Sequence, residues 1–471
     1  MGKLTRRQLL GAMPAVALAG ALGGKAEAAH LESKALMGMG IEDAASDGGH
    51  LTVQTPGAVI DLSRDGLLRV RQRIGSERDL ITLQLDGHFA PWKIGQRTPF
   101  LATLEGNGLT IRVQGDSVLV FEPHQNMRLA FDGLFKPAYN RELRGNRLML
   151  DNSGGCGFFG IPPRPTKLDD TETGWTCRCH LARWDELWVC VCPPRPEDAR
   201  RMKESISHDI LYNLPKEKDT AVRYPTTDTL REIAEHCQIL ALHEEIWKDA
   251  PAWVDDPPGG DYKHPKPWET DKHIPFDAAA FASMRDTAHR LGLKIVPYCS
   301  PYYCNAPDIF GEMERVLYEY EMDGLYFDGW CPMRDDFRPG YHLMRRARAI
   351  LGDRILYMHS STDPFGSVDI YPPFVFAYAD FCLRGEAGRG EGDLDTFLRY
   401  TVSGRQISNT VGMWCYYGST GKPGYQLVVP TAEHVEAALR NGVRIWRQSW
   451  TWRKYPEELA RFDRQYYSAI Q

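Results

Sequence analysis

Past its first residues, the 471-residue chain has no stretch that reaches the ~18 uninterrupted apolar residues a membrane-spanning helix needs. Basic runs are missing as well. The formal charge is −6, and the first 28 residues hold Lys3, Arg6, Arg7 and Lys25 against one acid, Glu27, so the remainder is more acidic still. That balance argues against nucleic acid as a partner. Several catalytic signatures are absent too. No G-x-S-x-G marks a serine esterase, and no H-x-H or H-E-x-x-H marks a zinc hydrolase. No P-loop or Gly-rich dinucleotide turn is present. Neither a metal nor an organic cofactor is expected.

Cysteine is not scarce, but it is oddly placed. The chain has eleven, an odd number, so at least one thiol stays outside any intramolecular bridge. Cys177, Cys179, Cys190 and Cys192 form two C-x-C pairs. Such pairs invite a zinc reading, although C-x₂-C is the more frequent zinc spacing. The other reading is a β-hairpin whose period-2 alternation puts each pair on one buried face.

The first residues carry Arg6-Arg7, then an Ala-, Leu- and Gly-rich apolar stretch, then Ala26-Glu27-Ala28. This is the layout of a bacterial twin-arginine export signal with cleavage after residue 28. A soluble periplasmic or secreted protein beginning near Ala29 is expected, with no membrane insertion of the mature chain. Proteins on this route fold in a reducing cytoplasm, so no disulfide framework is required.

The rest reads in two rhythms. Residues 29–48 are small and polar and read as a linker. Residues 49–200 alternate apolar and polar in short runs, such as "LTIRVQGDSVLVFEP" and "ELWVCVCPP", with Gly, Asp and Pro between them. That is the pattern of a β-sandwich. Residues 201–471 alternate helical segments with short apolar strands. The strands lie in "ISHDILYN", "QILALHEEIW", "LKIVPYCSP", "GLYFDGW", "RILYMHSS", "FVFAYADF", "ISNTVGMW" and "GVRIWRQSW". Eight strands over roughly 265 residues match a (β/α)₈ TIM barrel, for which ~250 is typical. A doubly wound sheet is the alternative, but its phosphate turn is missing.

In such a barrel the chemistry sits at the carboxyl ends of the strands. The second exit holds His243, Glu244, Glu245 and Trp247, the third Tyr298, and the fourth Asp328 and Trp330. The fifth holds His359, and the sixth Asp380, Arg384 and Glu386. The seventh holds Trp414 and the eighth Arg447. Acids and aromatic rings at one mouth suit a sugar, whose C–H face stacks on rings while carboxylates and Arg bind its hydroxyls. Paired carboxylates are the minimum machinery for glycosidic hydrolysis. An oligosaccharide, polysaccharide or glycoside is therefore the expected partner.

A β-sandwich before a barrel, with "DGLYFDGW" at the fourth strand, resembles the α-galactosidase clan of retaining glycoside hydrolases, to which endo-α-N-acetylgalactosaminidases are related. The resemblance implies that Asp328 is the nucleophile, that Asp380 in "YADF" is the acid/base, and that Glu244 or Glu245 binds sugar hydroxyls. The chain departs from the clan's double Asp before Trp, having Glu244-Glu245-Ile246-Trp247, and from its Lys two residues before the nucleophile, having Tyr326. The "RGE" after the sixth strand makes Glu386 a rival acid/base. Two other readings stay open. One is a catalytically silent glycan-binding protein on the same scaffold. The other is substrate-assisted hydrolysis of an N-acetylhexosaminide by adjacent acids, Asp335-Asp336 or Glu244-Glu245.

Overall fold

The computed structural model describes residues 36–209, 224–248, 272–301, 304, 306–328, 336–360, 372–385, 393–404, 407–415, 432–448 and 451–469. Its first part consists of two eight-stranded antiparallel sheets. One runs in space through Asp43–Asp47, His50–Gln54, Ala58–Leu62, Leu67–Gln72, Arg78–Gln84, Met127–Gly133, Trp175–Leu181 and Lys167–Asp170. The other runs through Tyr139–Leu143, Asn146–Asp151, Gly154–Ile161, Glu186–Cys192, Val118–Pro123, Leu109–Gln114, Leu101–Gly106 and Lys93–Arg97. Alternation places their core. In Met127–Gly133 every second residue is buried, and Phe131 packs edge-on against Phe121 (5.4 Å) and Phe158 (5.1 Å) of the other sheet. The neighbouring Gly133 must lack a side chain, because a Cβ there falls 1.9 Å from the buried Trp175 indole.

Two expectations need correcting here. Asp43–Asp47 is a strand, although it lies within the stretch expected to be a linker. It is an edge strand with only Ala44 buried, so its composition is as polar as a loop's. The glycines Gly48 and Gly49, both at positive φ (57° and 87°), turn it tightly onto His50–Gln54. The C-x-C strands are not a hairpin either. Trp175–Leu181 pairs in the first sheet and Glu186–Cys192 in the second, and residues 182–185 cross between them. Alternation fixes which face is buried; it does not fix the partner strand. All four cysteines are buried and unbridged.

Among its described residues the second part holds eight short parallel strands. They are β1 (Ile206–Asp209), β2 (Ile239–Leu242), β3 (Lys294–Pro297), β4 (Gly324–Phe327), β5 (Ile355–Ser360), β6 (Phe381–Arg384), β7 (Val411–Trp414) and β8 (Arg444–Ile445). β1 to β3 form one sheet and β4 to β8 another. Residues just past the strands join them. Tyr298 bridges Tyr326 in parallel, the Cys299 N–H donates to the Tyr326 carbonyl (2.8 Å), and the His208 N–H donates to the Arg447 carbonyl (3.0 Å). β2 and β4 are wholly buried, as continuous apolar runs in parallel sheets are. Among the helices are α1 (Thr227–His236), α2 (Ala278–Arg290), α3 (Ile309–Glu319), α4 (Arg338–Leu351), α5 (Ala432–Arg440) and α6 (Pro456–Ser468). Thr226, Asp277 and Asp308 cap the first three through side-chain oxygens. No helix among the described residues is long and apolar enough to cross a membrane.

The sixth strand begins later than its sequence predicts. The start of "FVFAYADF" belongs to a helical turn, Pro373–Phe376, opened by Pro373, and β6 starts only at Phe381. A short apolar run satisfies either periodicity. The two parts share a core: Trp188 packs on Phe337, Tyr341 and Phe374, and the Tyr341 and Tyr378 hydroxyls both donate to buried Asp116 (2.8 Å each).

Candidate active site

β4 approaches β5 so closely that a Cβ on Gly324 falls 2.2 Å from the Ile355 carbonyl oxygen. The strand then leaves the core at Asp328, whose carbonyl accepts from the Ser300 hydroxyl (2.6 Å). Side chains two apart share a face, so Tyr326 of β4 and Asp328 just after it lie beside Tyr357 and His359 of β5. The Tyr326 and Tyr357 rings stack at 4.8 Å. Asp328 Oδ1 accepts from His359 Nδ1 (2.9 Å), and His243 Nε2 lies 3.6 Å from Asp328 Oδ2. Burial pushes the Asp328 carboxyl up. The hydrogen bond and charge of His359, with smaller contributions from His243 and the Tyr326 hydroxyl, outweigh burial and hold it below the usual carboxylate range. It is therefore an anion at neutral pH in a site lined by rings.

His243 follows β2 and touches Glu244 and Glu245 as well as Asp328. These three consecutive residues bring one donor atom each within 4.8 Å of one another, the single such grouping of metal-type donors among the described residues. Tyr298 lies 5.3 Å from the His243 ring. His208 of β1 was not singled out in the sequence, yet it sits in the floor of the site. It is buried, its Nδ1 is 2.8 Å from the Tyr357 hydroxyl, and its Nε2 has no hydrogen-bond partner among the described residues. Burial, with the charges of His243 and His359, keeps it neutral. Tyr357 was missed likewise, and Tyr326 was noted only as standing where the clan has Lys; burial holds both phenols protonated. The available signal was their period-2 spacing from Asp328 and His359.

Other expected site residues lie elsewhere. Asp380 precedes β6, so it stands at the amino ends of the strands. It accepts from Arg348 (2.7 Å), Arg201 (3.2 Å) and the Leu356 N–H (2.8 Å). Leu356 is three residues before His359, about 10 Å along the strand, so Asp380 cannot work across a bond from Asp328. A cavity of about 430 Å³ opens beside it, lined by Arg195, Arg201 and Arg348, whose guanidinium groups are committed to protein oxygens. Trp247 is a core residue: it is buried against His273 and Phe281, and its N–H donates to the Tyr298 carbonyl (2.7 Å). Arg384 is buried, donates to the Thr401 carbonyl and lies over Phe376 (4.5 Å). Trp414 packs edge-on against His434 of α5 (5.2 Å). Arg447 pairs with Asp463 of α6 through both terminal nitrogens (2.7 and 3.1 Å). The described contacts of these four are with the layer around the parallel strands. Trp330 and Glu386 lie outside the described residues.

The buried histidines predict acid sensitivity. Burial lowers His243 to about 4 from an ordinary 6.5. Below pH 6.5 the unfolded chain takes up the proton while the folded one resists it, so stability falls as pH drops toward 4. For His243 alone the loss reaches about 3 kcal/mol. The melting temperature is expected to decline over that interval, and less steeply in His243→Gln. A flat profile, or equal slopes, would contradict this.

No family model matches the chain, and no curated protein does. Among solved structures it is similar to a dextranase of glycoside hydrolase family 31 from Flavobacterium johnsoniae, with 9% identity and a TM-score of 0.39, over 93% of this chain and 68% of that one. An uncharacterised protein of Listeria monocytogenes shows 10% identity and a TM-score of 0.39, over 91% of this chain and 54% of that one. A putative α-L-fucosidase from Bacteroides thetaiotaomicron shows 11% identity and a TM-score of 0.35, over 57% of this chain and 97% of that one. At these scores the likenesses carry no weight in assigning fold or function.

Proposed function

We propose that the chain is a glycoside hydrolase, with a β-sandwich ahead of a (β/α)₈ barrel. Support for the barrel comes from eight parallel strands with contacts across both seams between their two sheets. The observation that carries the function is Asp328: a half-buried carboxylate at a strand's carboxyl end, kept ionised by His359 and walled by Tyr and His rings. Such an anion in a poorly hydrated site is suited to attack an anomeric carbon or to stabilise positive charge there.

More specifically, we read a retaining double displacement with Asp328 as nucleophile. Glu386 is the acid/base in this scheme, since it follows the last residue of β6, Arg384, by two positions, whereas Asp380 is committed to two arginines. His243, Glu244, Glu245 and His208 bind sugar hydroxyls, and Trp330 supplies a stacking ring. No step passes through a metal. Of the adjacent acids that substrate assistance requires, Asp336 is bound by the Arg338 guanidinium through both oxygens, which disfavours that route through Asp335-Asp336. The leader with Arg6-Arg7 extends the proposal to export by the twin-arginine route.

Glu386→Ala tests the scheme. Aryl glycosides with good leaving groups need no proton to form the glycosyl-enzyme, which then waits for a general base. Azide needs none, so added azide restores turnover of this variant and yields a glycosyl azide of retained configuration. Full activity of Glu386→Ala without azide would remove it from the mechanism.

A further inference from the structure

The most exposed large hydrophobic side chain among the described residues is Trp184, at 67%. It sits in the 182–185 crossover between the two antiparallel sheets, with its side chain outside their buried core. Its φ of +71° is uncommon for a bulky residue. The loop is nonetheless firmly held. The Trp184 N–H donates to the Pro123 carbonyl (3.0 Å), and the Arg183 N–H donates to Asn126 Oδ1 (3.0 Å). Asp185 accepts from the Ala182 N–H (2.8 Å) and from both prongs of Arg164 (2.9 and 3.0 Å). The indole is thus presented to solvent on a rigid turn. Its neighbours are polar: the Arg183 guanidinium lies 4.7 Å from the ring and the His124 ring lies 5.7 Å away. The other exposed large hydrophobics, Leu134, Ile274, Phe276 and Tyr318, belong to other segments. One isolated ring with a polar rim is far smaller than the apolar patch of a protein interface. It matches a single pyranose, whose C–H face covers an indole while its hydroxyls meet imidazole and guanidinium.

The position of the turn is informative. Glu186, two residues on, accepts from Arg338 (3.4 Å), and Trp188 packs on Phe337 (5.2 Å). Arg338 opens α4, the helix that follows β4 and Asp328. The strand Glu186–Cys192 then runs toward Arg195, which donates to the carbonyls of Ala377 and Ala379 just before β6. It therefore runs from the carboxyl ends of the parallel strands to their amino ends, and Trp184 lies at the Asp328 end.

We infer that Trp184, with Arg183 and His124, is a second saccharide-binding site that holds a distal part of a polymeric glycan whose scissile bond lies at Asp328. The ligand class rests on the glycosidase reading; the platform itself does not. The test uses the full chain carrying Asp328→Asn, with and without Trp184→Ala, in affinity electrophoresis through gels containing dextran, pullulan, galactomannan, arabinoxylan or mixed-linkage β-glucan. At least one polymer retards the Asp328→Asn protein, and Trp184→Ala weakens that binding about fivefold or more, the loss of one stacked ring. Trp184→Phe, which keeps a flat ring, retains most of the binding. On small aryl glycosides, Trp184→Ala alone matches the protein with native Asp328 and Trp184. Retardation unaffected by Trp184→Ala, or no retardation by any polymer, overturns the inference. Trp184-dependent retardation by a protein that hydrolyses no glycoside sinks the catalytic reading and leaves this site standing.

Discussion

Asp380→Ala lowers the stability of the protein by about 3–5 kcal/mol, the usual cost of removing one partner from a buried ion pair. Asp380 is 3% exposed and lies between the guanidinium groups of Arg348 and Arg201, with the Leu356 N–H on the same oxygen as Arg348. Burial alone pushes its pKa up; the charges of Arg348 and Arg201 reverse that and hold it below the usual carboxylate range. Truncation leaves the buried Arg348 without its carboxylate and Arg201 with Glu204 alone. Urea denaturation followed by tryptophan fluorescence measures the loss. Asp380→Asn keeps the shape and the hydrogen-bond acceptor, so it costs less. A variant as stable as the parent but inactive would return Asp380 to the catalytic machinery.

The case of Asp380 shows where sequence reasoning runs short. Its assignment depended on where the sixth strand ends, and an apolar run led by Pro372-Pro373 reads equally well as a strand or as a helical turn. The parallel strands themselves were legible, because buried parallel strands are short apolar runs between helices with recognisable caps. Asp328 and His359 were legible for the same reason: both are polar residues at or just before the point where such a run stops. What the pattern does not reveal is the side to which a residue near a strand exit points. Arg384, Trp414 and Arg447 meet that description too, yet among the described residues they contact Thr401, His434 and Asp463 in the surrounding layer. His208, Tyr326 and Tyr357 were passed over as site residues for the opposite reason. They sit inside strands, where a ring reads as core, and only the parallel register brings them beside Asp328. The C-x-C pairs make the same point in the antiparallel part, where alternation foretold burial and the pairing went to separate sheets.

Asp328 carries the functional account, and its replacement has the largest expected effect on catalysis. Asn has the same size and keeps an oxygen for His359 Nδ1, so the packing of Tyr326 and Tyr357 is undisturbed. It lacks the charge that attacks or stabilises an electron-poor anomeric carbon. Turnover is expected to fall by at least about a thousandfold, which corresponds to ~4 kcal/mol or more of transition-state stabilisation. Substrate binding changes little by comparison, because the rings and hydroxyl-binding groups remain. The decisive measurement is the steady-state hydrolysis of aryl glycosides by Asp328→Asn against the parent protein, with the melting temperatures of both recorded alongside. The account predicts a fall of three or more powers of ten in kcat at a nearly unchanged melting temperature; hydrolysis by Asp328→Asn within a few-fold of the parent would contradict it.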